Sequence, residues 1–162
     1  RNRVIAQARR EREARRMAQP FEEMKETGRR PRTVSAIMSR MLVSIAPDTS
    51  VEDAMQLMRE KGVSSILVEP DSDGQWGIMT QRDVVSRIVN ANRPPSIPVS
   101  EVANKPLITV PVDMTLHECS SKMLGSKIRR LVVEQNGSPI GIVSDTDLFR
   151  IVEEFGWMTE AD

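Results

Sequence analysis

The chain has 162 residues, 39% of them hydrophobic, and its 23 basic side chains balance 23 acidic ones. That length suits one domain or two very small ones sharing a core, and the apolar content is enough for a packed interior. The single cysteine, Cys119, excludes an intramolecular disulfide, and no apolar run approaches the roughly 20 residues needed to cross a bilayer. The opening Arg-Asn-Arg has no apolar stretch behind it of the kind a signal peptide needs, so the expected location is cytoplasmic. The lack of an initiator Met suggests a start inside a longer protein or after processing.

The zero net charge hides two unlike parts. Residues 1–32 carry ten Arg and Lys25 against Glu11, Glu13, Glu22, Glu23 and Glu26, a net +6, which leaves −6 on the remainder. Good helix formers fill 4–18, Pro20 interrupts, and 21–26 can resume, so a helical arm is expected. Its apolar residues Val4, Ile5, Ala8, Met17, Phe21 and Met24 are too sparse for a core. The plain reading is a solvated linker helix, and the alternative is docking on a partner or another subunit. Nucleic-acid contact is disfavoured, because a basic run with one aromatic lacks a readout device.

The body begins at 33. A short strand is expected over 42–45, followed by a turn at 47–50 and a helix opened by a capping box over Thr49, Ser50, Val51 and Glu52. Val51, Ala54, Met55 and Met58 fall at helical spacing, and Gly62 ends the helix. Strands over 65–68 and 76–80 flank the turn-rich loop 70–74, and a helix over 81–89 follows. Residues 92–98, with Pro94, Pro95 and Pro98, form a stiff linker. The order then recurs: strand 107–110, helix 116–124 closed by Gly125, strand 130–134, an Asn136-Gly137 hairpin turn, strand 140–143, and a helix from 145 to about 155, before a tail at 157–162.

The recurrence extends to the residues themselves. Gly77-Ile78-Met79-Thr80-Gln81-Arg82-Asp83 and Gly141-Ile142-Val143-Ser144-Asp145-Thr146-Asp147 stand 64 positions apart. Upstream, Glu69 meets Glu134, Met58 meets Met123, Asp48 meets Asp113 and Ser44 meets Thr109 at an offset of 65, so the second copy has lost one turn residue. Each copy, with its β-α-β-β-α order and closing Gly-hydrophobic-x-Thr/Ser-x-x-Asp motif, resembles a cystathionine β-synthase (CBS) domain. The resemblance covers roughly 34–155 and implies a tandem CBS pair, or Bateman module: an α/β (α+β) fold of two repeats, 33–91 and 99–156, packed through their sheets about a pseudo-twofold axis. Members of that family commonly sense adenosine-containing ligands such as AMP, ADP, ATP or S-adenosylmethionine.

The motif has its own chemistry. Gly77 and Gly141 allow the backbone to bend or another group to come close. Thr80 and Ser144 end a strand where a helix starts, so each hydroxyl can cap that helix or donate to a phosphate. Asp83 and Asp147, three residues on, can accept two hydrogen bonds from the vicinal hydroxyls of a ribose. Thr/Ser-x-x-Asp is equally an ordinary capping box, and on chemistry alone both readings stand. The resemblance implies two ligand clefts. One would join Thr80 and Asp83 to Thr109, Val110 and the 127–131 segment; the other would join Ser144 and Asp147 to Ser44, Ala46, Val63, Ser64 and Ser65. Lys127, Arg129 and Arg130 put three cations where the first repeat has Gly62, Ser64 and Ser65, and guanidinium forks suit phosphate oxygens. The Asp83 cleft is thus the better candidate for a phosphorylated ligand, unless those arginines are exposed strand-end charges paired with carboxylates. The Asp147 cleft suits a less charged adenosyl compound or none.

Other conspicuous residues carry little. His117-Glu118-Cys119 has no second His or Cys at ligand spacing, so it reads as a solvated helix start, with Cys119 a small core residue aligned with Ala54. Trp76 and Trp157 suit a core, a dimer surface or, less readily, base stacking. No Ser-His-Asp set, Walker loop or Gly-x-Gly-x-x-Gly is present, so the expected function is non-enzymatic. The sequence reads as a homodimeric regulatory module with an adenine nucleotide as ligand, with or without magnesium, signalling to a partner or fused effector. The alternative is a ligand-free dimerisation module whose basic arm recruits a protein or nucleic acid.

Overall fold

The computed structural model describes residues 29–157 together with Met24 and Glu26, so most of the expected arm and the end of the tail lie outside the described residues. The described residues divide into two compact units, one spanning Leu42–Leu107 and the other joining 29–41 with those from Ile108 onward.

In the first unit β1 (Ser44–Ile45), β2 (Ser65–Val68) and β3 (Gly77–Thr80) form a sheet in the order β1-β2-β3. Ser44 lies opposite Leu67 in the parallel pair and Ser65 opposite Thr80 in the antiparallel pair. Helix α1 (Val51–Lys61) buries Val51, Ala54 and Met58 and ends at Gly62 in the left-handed region, φ 65°. Two expectations need correction here. The cap is Ser50, whose hydroxyl accepts the Asp53 N–H at 3.1 Å. Thr49 is engaged by its backbone instead, donating to the Ala46 carbonyl and accepting from Val99. Met55 is 43% exposed, because it falls at the margin of the buried stripe. After β3, α2 (Gln81–Val84) passes into a wider π turn at Val85–Asn90, where a continuous α-helix was expected.

The second unit repeats the plan with β4 (Thr109–Pro111), α3 (Leu116–Ser126), β5 (Arg130–Gln135), β6 (Ser138–Ser144) and α4 (Asp145–Phe155), its sheet ordered β4-β5-β6. Thr109 faces Val132 and Arg130 faces Ser144, the register of the first sheet carried over residue for residue. Asn136 and Gly137, at φ 53° and 80°, make the expected two-residue hairpin turn. Gly125 does not end α3 as expected. The helix runs to Ser126, and Lys127 takes the left-handed position, φ 55°, that Gly62 holds in the first unit.

The sequence period and the compact unit are different divisions of the chain. The 3-10 turn at Val34–Ala36 stands at the head of the first repeat, yet Val34, Ile37 and Met38 belong to the second unit's core with Val110, Leu131, Val133 and Ile151. Likewise Val99 and Val102, at the head of the second repeat, sit in the first unit's core with Val51, Ile66, Met79 and Ile88. Each segment then runs along the outer edge of the sheet it joins. Ile78 exchanges both backbone hydrogen bonds with Asn104 (3.0 and 2.9 Å), and Ile142 does the same with Ser39 (3.0 and 2.9 Å). This accounts for the motif glycines. A Cβ on Gly77 would lie 3.2 Å from the Asn104 carbonyl oxygen, and one on Gly141 would lie 2.5 Å from the Met38 sulfur. The close approach allowed by glycine is used by the chain's own crossing segments, by backbone at Gly77 and mainly by the Met38 side chain at Gly141.

Truncations should follow this division. Removing residues 1–28 is expected to shift the melting temperature by no more than a few degrees, since their sequence is strongly basic with few apolar residues. Removing residues 1–38 deletes Val34, Ile37 and Met38, each contributing roughly 1.5–3 kcal/mol of burial. The second unit should then melt early or not fold, as read by calorimetry and by amide exchange at Leu131 and Val143.

Candidate functional site

The two motif ends are built alike. In the first unit the Thr80 N–H and hydroxyl both donate to Asp83 Oδ2 (2.8 and 2.9 Å), and the Asp83 N–H donates back to the Thr80 hydroxyl (3.3 Å). In the second, the Ser144 N–H donates to Asp147 Oδ2 (2.8 Å) and the Asp147 N–H to the Ser144 hydroxyl (3.2 Å). The capping-box reading is therefore realised in both units. It leaves the carboxylates half-buried at a strand end rather than sunk in a core.

Beside each motif runs the entry to the middle strand. In the first unit Gly62 and Val63 turn out of α1, the Ser64 carbonyl accepts the Gln81 N–H at 3.2 Å, and Ser65 lies opposite Thr80. In the second, Lys127 and Ile128 make the same turn, the Arg129 carbonyl accepts the Asp145 N–H at 2.9 Å, and Arg130 lies opposite Ser144. Taken by itself, one unit brings together Val63, Ser64, Ser65, Thr80 and Asp83; the other brings together Lys127, Arg129, Arg130, Ser144 and Asp147. The scaffold is shared and the charge is not. Lys127 and Arg129 are exposed and Arg130 is half-buried.

The first strands contribute differently. Thr109 is half-buried on β4, and Val110 is 1% exposed in the core, so only its backbone can meet a ligand. Ser44 is exposed on β1 with its hydroxyl 3.5 Å from Glu69 Oε1, and Ala46 is exposed just beyond.

Sequence reasoning passed over two residues. Asn104 Nδ2 donates to Asp83 Oδ1 at 2.9 Å, and its amide oxygen accepts from Arg87, which also donates to the Val102 carbonyl. The available signal was positional: Asn104 stands 65 residues after Ser39, so the duplication placed a larger polar side chain next to one motif only.

The remaining conspicuous residues fall where packing puts them. Cys119 is buried, and burial first, then the Asp147 charge, pushes its thiol up to about 11. His117 is exposed, and among the described residues no three His, Cys, Asp or Glu side chains could hold a metal ion. Trp76 is half-buried and Trp157 is 48% exposed, so neither is a core residue. No described helix is long and apolar enough to cross a membrane.

The left-handed Lys127 is open to a direct test. A non-glycine residue there costs roughly 1 kcal/mol, so Lys127→Gly should raise stability by about that amount, read as a higher denaturation midpoint. An unchanged or lower midpoint would show that the Lys127 side chain itself supports the fold.

The CBS domain family model matches residues 34–90 and 99–154. An uncharacterised protein of Methanopyrus kandleri is 34% identical over 122 residues, 74% of this chain, which spans 62% of that relative's length. An inosine-5'-monophosphate dehydrogenase of Korarchaeum cryptofilum is 35% identical over 113 residues, which are 68% of this chain and 22% of that enzyme. Among solved structures, the hexameric CBS-CP12 protein from bloom-forming cyanobacteria superposes with a TM-score of 0.69 at 28% identity, covering 78% of this chain and 76% of that one.

Proposed function

Because the chain belongs to the CBS-domain family as a tandem pair, regulatory rather than catalytic in kind, we propose that it binds an adenosine-containing ligand and relays its presence to a partner or fused effector. The candidates are AMP, ADP, ATP and S-adenosylmethionine. The observation that carries this reading is the recurrence, in the same register, of a strand-end hydroxyl and a half-buried carboxylate, Thr80 with Asp83 and Ser144 with Asp147. A carboxylate at a strand end suits a ribose diol. Lys127, Arg129 and Arg130 add donors suited to phosphate, while Ser64 and Ser65 offer neutral ones. Thr109, Val110, Ser44, Ala46 and Val63 would contribute backbone or small side chains around the base. The signal would be a population shift, the ligand favouring one arrangement of the chain over another.

Calorimetric titration tests this reading directly. Binding of AMP, ADP or ATP in the micromolar to millimolar range is expected, with a matching rise in melting temperature. Repeating the titration with magnesium tells whether the metal accompanies phosphate. Asp147→Asn keeps an oxygen for the cap and removes the charge, so it should weaken adenosine binding with little loss of stability. Asp83→Asn should weaken binding too, but its new amide nitrogen faces the donor Asn104 Nδ2, so it should cost more stability than Asp147→Asn. Arg130→Ala should weaken ATP about 10- to 150-fold, the cost of one charged hydrogen-bond partner, and adenosine much less. No heat and no thermal shift with any adenosine compound at millimolar concentration would end the proposal.

A second reading, an interaction module needing no ligand, draws on exposed apolar side chains. Val85 and Val89 stand 59% and 69% exposed after β3, and Phe149 and Val152 stand 66% and 50% exposed on α4. Self-association through these faces fits either reading. Sedimentation should show a dimer that Val85→Glu or Phe149→Glu converts to monomer. A monomeric parent protein would remove the association from both readings.

A further inference from the structure

The Asp83 carboxylate is already in use. Its Oδ2 takes two donors from Thr80, and Oδ1 takes the Asn104 amide at 2.9 Å. A carboxylate offers about four acceptor positions, so one remains, on Oδ1. The direction of the Asn104 amide is fixed from both sides. Arg87, which can only donate, faces its oxygen, and the acceptor-only carboxylate faces its nitrogen. Its backbone is held in turn by the double hydrogen bond to Ile78, and Arg87 is anchored on the Val102 carbonyl.

None of this is needed to build the sheet edge. Ser39 makes the same backbone pairing with Ile142 in the second unit, and the residue corresponding to Arg87 there is Ile151, 1% exposed in the core. The amide and the guanidinium are additions to one unit, aimed at its motif carboxylate.

We propose that Asn104, held by Arg87, is a built-in competitor for Asp83, which a vicinal diol must displace to be gripped at two points. The inference rests on the reading of Asp83 as a ribose acceptor. A sugar with a single hydroxyl can use the one remaining acceptor position and leave Asn104 in place. A ribose needs two, so it must release the amide. Asn104 therefore narrows the preference of this carboxylate for ribose over deoxyribose, and only a diol frees Asn104 from it.

Asn104→Ser tests this without endangering the edge, since Ser39 already serves at the corresponding position. Adenosine and 2′-deoxyadenosine would be titrated against the parent protein and the variant, with melting curves confirming that both are folded. Adenosine should bind the variant about three- to tenfold more tightly, while 2′-deoxyadenosine stays within about twofold. In the parent, adenosine and not its deoxy analogue should shift the Asn104 side-chain amide resonances. An equal gain for both nucleosides, or weaker binding of adenosine, would overturn the competitor role and leave the ribose reading standing. Failure of both proteins to bind either nucleoside, with no shift of those resonances, would overturn the ribose reading and this inference with it.

Discussion

Both sheets are closed by a backbone pairing beside which a motif glycine leaves room. Ile78 with Asn104 and Ile142 with Ser39 each close the outer edge of a three-stranded sheet, and each pairing brings a crossing segment against a motif glycine. An unpaired edge strand leaves its N–H and C=O groups to water or to another chain. Here that edge is covered by a stretch whose neighbours Val99 and Val102, or Val34, Ile37 and Met38, are core residues. Edge pairing and core burial are one arrangement, and the glycine lets the crossing segment lie close against the strand.

The same arrangement decides where the motif's polar groups end up. A covered edge strand delivers Thr80 or Ser144 to the start of a helix, where hydroxyl and carboxylate cap each other three residues apart. Capping and ligand binding are then compatible uses of one carboxylate. The cap occupies one oxygen, and what meets the other is set by the neighbouring segment. In the first unit that segment supplies Asn104, so the element that closes the sheet also reaches the candidate site.

The duplication has kept geometry and varied charge. Register matches across the two sheets residue for residue, yet the turn out of the first helix passes from Gly62 to Lys127 and its strand entry from Ser65 to Arg130. Lys127 is accepted in a left-handed conformation that glycine fills without strain. That basic side chain, with Arg129 and Arg130 after it, adds charge where the first unit has Gly62, Ser64 and Ser65.

Much of this was legible in the chain itself. Two hydrophobic patterns in register, bounded by Gly62, Asn136-Gly137 and the strand-end Thr80 and Ser144, determined the element order, the α4 boundaries and the hairpin turn, because turn and cap chemistry is local. The motif also announced a capping box and a candidate carboxylate together, and the sequence could not choose between them. Tertiary structure decided what local chemistry cannot. It made Ser50 rather than Thr49 the cap, because the Thr49 carbonyl is taken by Val99. It carried α3 past Gly125, since Lys127 sits where the repeat's geometry requires the left-handed turn. It also gave residues 34–38 and 99–104 to units other than their own repeats, and so set Asn104 against Asp83. Those pairings join residues 21 to more than 100 positions apart. Nothing in the sequence near either partner encodes them, because the burial that selects them exists only once both sheets have formed.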